Sequence, residues 1–147
     1  MRPLIMNTNP TTHKFVAVLN KKIETGKLMN GLGHMAAGLS ALVPDIDAMR
    51  FDSYIDKDGG VHPSISDNPF IILSSDNSNQ IRTLRNTLKE HAIPYTDFTS
   101  TMTVGTFAEQ KQRTSETIEA ELEYYGICFF GDRMVLSELT KKFSLWR

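Results

Sequence analysis

Phe15-Val16-Ala17-Val18-Leu19 is an unbroken apolar run that stops at Asn20, and no other stretch narrows the possible folds as much. A strand with one wet face alternates apolar and polar residues. A short, β-branched run without alternation suits a central strand covered on both faces. Downstream, Leu28, Leu32, Met35, Leu39 and Leu42 recur at spacings of four, three, four and three. That period predicts an amphipathic helix over residues 26–43, closed by Pro44. A covered strand, a tight connection and a long helix specify a layered α/β architecture.

The remaining chain reads as more of the same material. Residues 49–56 and 61–65 flank Asp56-Lys57-Asp58-Gly59-Gly60, whose Asp-Gly and Gly-Gly steps favour a hairpin turn. Residues 70–73 predict a buried strand after Pro69. Asp76 or Ser78 is placed to cap a helix carrying Ile81, Leu84, Leu88 and Ala92, which stops before Pro94. Residues 95–103 read as extended, 106–123 as a polar surface helix or flap, and 124–130 as a strand. A short helix follows Asp132, and Phe143-Ser144-Leu145-Trp146 alternates like a closing strand. Residues 1–12, rich in Pro, Thr and Asn, predict a flexible extension to a single domain over 13–147.

Composition removes several classes of function. The 147 residues are 40% hydrophobic and 22% charged, which excludes a disordered or fibrous chain. Sixteen Lys and Arg against seventeen Asp and Glu give a net charge of −1. That leaves no general positive field to gather tRNA or another nucleic acid, which would need a local patch. The basic end formed by Lys141, Lys142 and Arg147 reads as a solvated edge. One cysteine, Cys128, cannot form an internal disulfide, and its apolar neighbours place it in the core. The longest uncharged run, residues 28–44, contains Asn30, His34 and three glycines, too polar to span a bilayer. The first residues lack the apolar length of a secretion signal. A cytoplasmic location is the expectation.

Two constellations carry possible chemistry. Lys27 falls in the first turn of the predicted helix, where the macrodipole disfavours a cation. Placed there, it can converge with free backbone N–H groups on a bound anion. Lys27, Gly31, His34 and Gly38 form a stripe of their own, beside the leucine stripe, and the glycines would let something approach closely. Close helix–sheet packing explains the same glycines, so both explanations stay open. In the second constellation, Asp97, Thr99 and Thr101 would share one side of an extended segment, where an acid flanked by hydroxyls can orient a lysine, a histidine or a water. A turn or edge-strand cluster is the alternative there. His13, His34, His62 and His91 lack metal-ligand spacing, the Asp56–Asp58 segment lacks the acids of a calcium loop, and neither metal nor cofactor is expected. No Walker loop, nucleophile elbow or dinucleotide fingerprint is present.

The Gly26-Lys27 pair, His34, Ala36-Ala37 and the preceding Val16–Asn20 stretch resemble the first helix and first strand of type II peptidyl-tRNA hydrolases. Asp97 followed by Thr101 is similar to their Asp-Ala-Gly-x-Thr segment, and residues 139–146 are similar to their tail. A closer resemblance is to the family of domains of unknown function numbered two-thousand. It is carried by Leu19-Asn20-Lys21, Gly26-Lys27-Leu28-Met29-Asn30, His34-Met35-Ala36-Ala37-Gly38, Asp58-Gly59 before Ile65-Ser66, and residues 139–145. The resemblance implies a three-layer α/β/α fold on a mixed sheet of four or more strands, often dimeric. It also implies a site built from Lys27, His34, Asp97 and Thr101 as catalytic groups, with Asn20, Gly26, Asn30 and Gly31 against the ligand. Gly31 stands where the hydrolases have glutamine, Lys21 where they have an acid, and no threonine falls near Tyr124. A site short of polar partners loses orders of magnitude in rate, so the fold carries over further than the reaction does.

Three functions follow as expectations. One is a hydrolase of an ester or amide, with Asp97 orienting Lys27 or a water and His34 as acid or base. Another is a non-catalytic module for a small anionic ligand. The third is a homodimeric interaction protein.

Overall fold

The computed structural model describes residues 9–147. The apolar run lies inside strand β1 (His13–Asn20), followed by helix α1 (Thr25–Ser40) and the strands β2 (Phe51–Ile55), β3 (Val61–Ser66) and β4 (Phe70–Ser75). Then come α2 (Ser78–Glu90), β5 (Tyr95–Thr99), α3 (Phe107–Ser115), β6 (Tyr124–Asp132), α4 (Arg133–Thr140) and β7 (Ser144–Leu145). β2 and β3 form a separate hairpin, and the other five strands make one mixed sheet ordered β5-β6-β1-β4-β7. β1 runs parallel to β4 and antiparallel to β6, so Val18 lies between Leu73 and Ile127.

The central place of β1 explains its unbroken apolar sequence. Phe15, Ala17 and Leu19 pack with Leu28, Met35 and Leu39 of α1, and Val16 and Val18 pack with Ile81, Leu84 and Leu88 of α2 and Leu136 of α4. Successive side chains on a strand point to opposite faces, so one strand supplies two cores. Helices cover both faces of the sheet. Cys128 sits opposite Ala17, fully buried, and burial pushes its thiol up to about 12.

Several element ends differ from the sequence expectation. α1 stops at Ser40 rather than at residue 43. Ala41 and Leu42 donate to Gly38 and Leu39 in tightened turns, and Leu42 is left 51% exposed. Pro44 keeps its predecessor out of helical conformation, and the helix unwinds ahead of it. Asn77, not Asp76 or Ser78, caps α2, accepting from Gln80 N at 3.0 Å. Asp76 instead pairs with Lys21 at 2.6 Å, and the Ser78 hydroxyl accepts from Tyr124 N. Ala92 lies beyond the helix in left-handed conformation (φ 54). The extended segment expected over 95–103 ends at Thr99 and turns through a 3-10 helix, Ser100–Met102. Only α3 and a 3-10 turn, Glu119–Glu121, are helical between residues 106 and 123.

Of the predicted extension, residues 1–8 lie outside the described residues. Residues 11 and 12 are tied to the start of α4, where Arg133 donates through N to Thr12 O at 3.0 Å and through Nη1 to Thr11. Among the described residues no helix is long and apolar enough to cross a membrane.

Candidate functional site

α1, the end of β5, the 100–103 turn and α3 enclose a cavity of about 810 Å³. Met35, Phe98, Met102 and Phe107 give it apolar walls, and Asn30, His34, Gln110 and Lys111 bring polar groups to it. A cleft of this size, mostly apolar with a few convergent polar groups, is the usual form of a small-ligand site.

Each wall follows from local sequence. Gly31 brings α1 onto β5, because a Cβ at that position would lie 2.9 Å from Phe98 Cδ1. The His34 ring, one turn on, stacks on Phe98 with centroids 5.9 Å apart and planes 16° from parallel. Thr96 Oγ1 donates to Met35 O at 2.8 Å, fixing the same face of the strand to the helix at a second point. α3 begins with a capping box between Thr106 and Glu109. A chain of hydroxyls then holds it to the sheet, with Thr114 Oγ1 donating to Thr101 Oγ1 at 2.8 Å and Thr101 in contact with buried Thr99 at 2.7 Å. Behind α3, Arg82 clamps the connection to β6. Its Nε reaches Glu119 Oε2 at 2.8 Å and its Nη2 reaches Leu122 O at 2.6 Å.

The residues singled out in the sequence are only partly brought together. His34 and Asn30 line the cavity. Thr101 stands behind it in the hydroxyl chain, off the strand alternation that was to place it beside Asp97. Lys27 is exposed at the start of α1 and makes no ion pair among the described residues. The expected pairing of Asp97 with Lys27 gives way to another. The Asp97 carboxylate accepts from Arg85 Nε at 3.0 Å, on the α2 side of the sheet, while Lys27 stands on the α1 side. Burial pushes the Asp97 carboxyl above the ordinary aspartate range, and the nearby Arg85 guanidinium opposes that shift without cancelling it.

Asn20 is 2% exposed, with its amide committed to Tyr124 O at 3.1 Å and to Lys22 N at 3.0 Å, which shapes the turn into α1. Gly31 faces Phe98, so close helix–strand packing accounts for it, whereas nothing lies within 4 Å of a Cβ at Gly26.

Arg85, Lys111 and Gln110 went unnoticed in the sequence. Arg82 and Arg85 carry a weak signal, two cations flanking Leu84 on an otherwise apolar helix face. α3 carries none, because its one large apolar residue, Phe107, is 74% exposed. Among the described residues no group of three His, Cys, Asp or Glu could hold a metal ion.

Residues 13–147 match the model of a family described as Protein of unknown function (DUF2000). Among solved structures, the chain is similar to a protein of unknown function, Atu0240, from Agrobacterium tumefaciens strain C58. The TM-score is 0.78 at 19% identity, over 92% of this chain and 98% of that one. That likeness is one of fold. No curated protein matches the chain.

Proposed function

We propose that this chain, which belongs to the DUF2000 family, is a single-domain binding module whose groove between α1 and α3 takes a small molecule with an apolar body and one anionic group. The observation that carries this reading is the charge arrangement of the cavity. Lys111, its ammonium 5.4 Å from the Phe107 ring centroid, makes no ion pair among the described residues, while Asp97 is already neutralised by Arg85 on the other side of the sheet. An apolar body buried on Phe98 and Met102 supplies affinity, and Lys111 with His34 and Asn30 selects an acceptor or anion. The relation to type II peptidyl-tRNA hydrolases belongs to this proposal as an ancestry of fold. It is supported by Gly26-Lys27 and His34 on α1, while Lys27 makes no ion pair with an acid among the described residues.

A thermal-shift series against carboxylates and phosphates on aromatic and acyl bodies tests the proposal, run on wild type, His34→Ala and Lys111→Ala. Ligand at one hundred times its dissociation constant adds about 2.7 kcal/mol and raises the melting point by several degrees. The shift should fall in both variants. Turnover of acyl esters that disappears in His34→Ala would replace this reading with the hydrolase.

The hairpin favours a second reading, a homodimer. Ile55 and Val61, 41% and 66% exposed, lie opposite one another and share one face of β2–β3. Loss of dimer in Val61→Lys by sedimentation would support it, and a monomeric wild type would end it.

A further inference from the structure

The groove runs along a sheet edge that no other strand covers among the described residues. β5 is the outermost strand, and its bonds to β6 fix which main-chain groups are already used. Pro94 O accepts from Phe130 N at 3.3 Å, and Ser100 N donates to Glu123 O at 3.0 Å. In an antiparallel ladder the main-chain groups alternate in direction, so Thr96 and Phe98 turn theirs toward β6 and Asp97 turns its N–H and C=O outward. Asp97 lines the groove, yet its carboxylate is held by Arg85 across the sheet. What it offers the groove is therefore one backbone donor and one backbone acceptor. Proteins usually blunt such an edge with charge, proline or a covering element. Here α3 stands back from it by the width of the cavity.

We infer that this edge is a docking site for an extended acidic peptide. The peptide adds a strand outside β5, exchanges two hydrogen bonds with the Asp97 main chain, lays an apolar side chain between Phe98 and Phe107, and sets its negative charge toward Lys111. Main-chain pairing gives affinity in this mode, and the pocket for alternate side chains gives selectivity. Charge decides the sign of the partner, because Lys111, its ammonium 5.4 Å from the Phe107 ring centroid, makes no ion pair among the described residues, and the carboxylate at the groove, Asp97, is paired with Arg85. The inference rests on the reading that the groove binds a ligand, and names its class.

The test uses fluorescence anisotropy with a labelled pool of octapeptides that alternate apolar and polar residues and carry glutamates at the ends. Two further pools have every second amide N-methylated, in either phase, and a fourth replaces glutamate by lysine. Binding should survive one N-methyl phase and be lost in the other, since alternate amides of an added strand face away from β5. Lys111→Glu and the lysine pool should each weaken binding about tenfold or more. Equal binding of both N-methyl pools would overturn the inference, because docking would then use side chains alone. So would absence of peptide binding by a protein whose melting point small apolar anions raise, and in that case the binding-module reading stands. Silence to peptides and small anions alike removes both.

Discussion

Gly26 and Gly31 share a helix and differ in what surrounds them. An added methyl at Gly31 would meet the Phe98 ring at 2.9 Å, whereas at Gly26 it would meet nothing within 4 Å. Gly31→Ala should therefore destabilise the fold by about 1–3 kcal/mol through overpacking, and it should also tilt the wall that positions His34. Gly26→Ala should be neutral or stabilising by roughly 0.4–1 kcal/mol, because the unfolded chain loses freedom at no native cost. Urea unfolding of the two variants measures both. Asp97 supplies a pH effect. Burial holds its carboxyl above the ordinary aspartate pKa, so the native state binds that proton more tightly than the unfolded chain does. Its contribution to stability is full below the unfolded pKa and is lost as pH rises through the folded one. A carboxyl NMR titration should find Asp97 high, and Arg85→Gln should move it higher still. An unchanged value in Arg85→Gln would mean that the ion pair does not form in solution.

Elements whose apolar residues face a core were plain in the sequence. β1 and α2 follow from Val16–Leu19 and from Ile81, Leu84 and Leu88, all buried as their periodicity requires. The groove was less visible. His34 was marked by its stripe, but which face Asp97 would choose depends on Arg85, a partner from a separate helix, and no local pattern encodes that choice. α3 was legible only as part of a polar surface helix or flap, because it buries no residue completely. It is held by hydroxyls instead, and Thr114→Val removes the link to Thr101. The expected cost is about 1 kcal/mol, with faster amide exchange in α3 and little change in α1. The hairpin β2–β3 is the other lightly held element. It forms its own two-stranded sheet, and such ribbons are marginal alone. Amide exchange at Tyr54 should be complete long before Val16 or Val18 begins. Equal protection would show that another surface covers the hairpin.

On the scale of the whole molecule, the buried thiol reports how the sheet opens. Cys128 lies between β1 and β5 with no exposure and a thiol pushed up to about 12. It should resist a thiol reagent in the native state and react at the rate of global unfolding, with faster labelling in Leu39→Ala, which removes about 2–5 kcal/mol. The same sheet divides the buried residues into two groups, with Leu39 and Met35 on one side and Leu88 on the other. Truncations across that partition should add within about 0.5 kcal/mol, as for Leu39→Ala with Leu88→Ala, while Leu39→Ala with Met35→Ala should deviate. A lineage carrying this fold can accordingly accumulate changes on the α1 side while the α2 side keeps its own selective history.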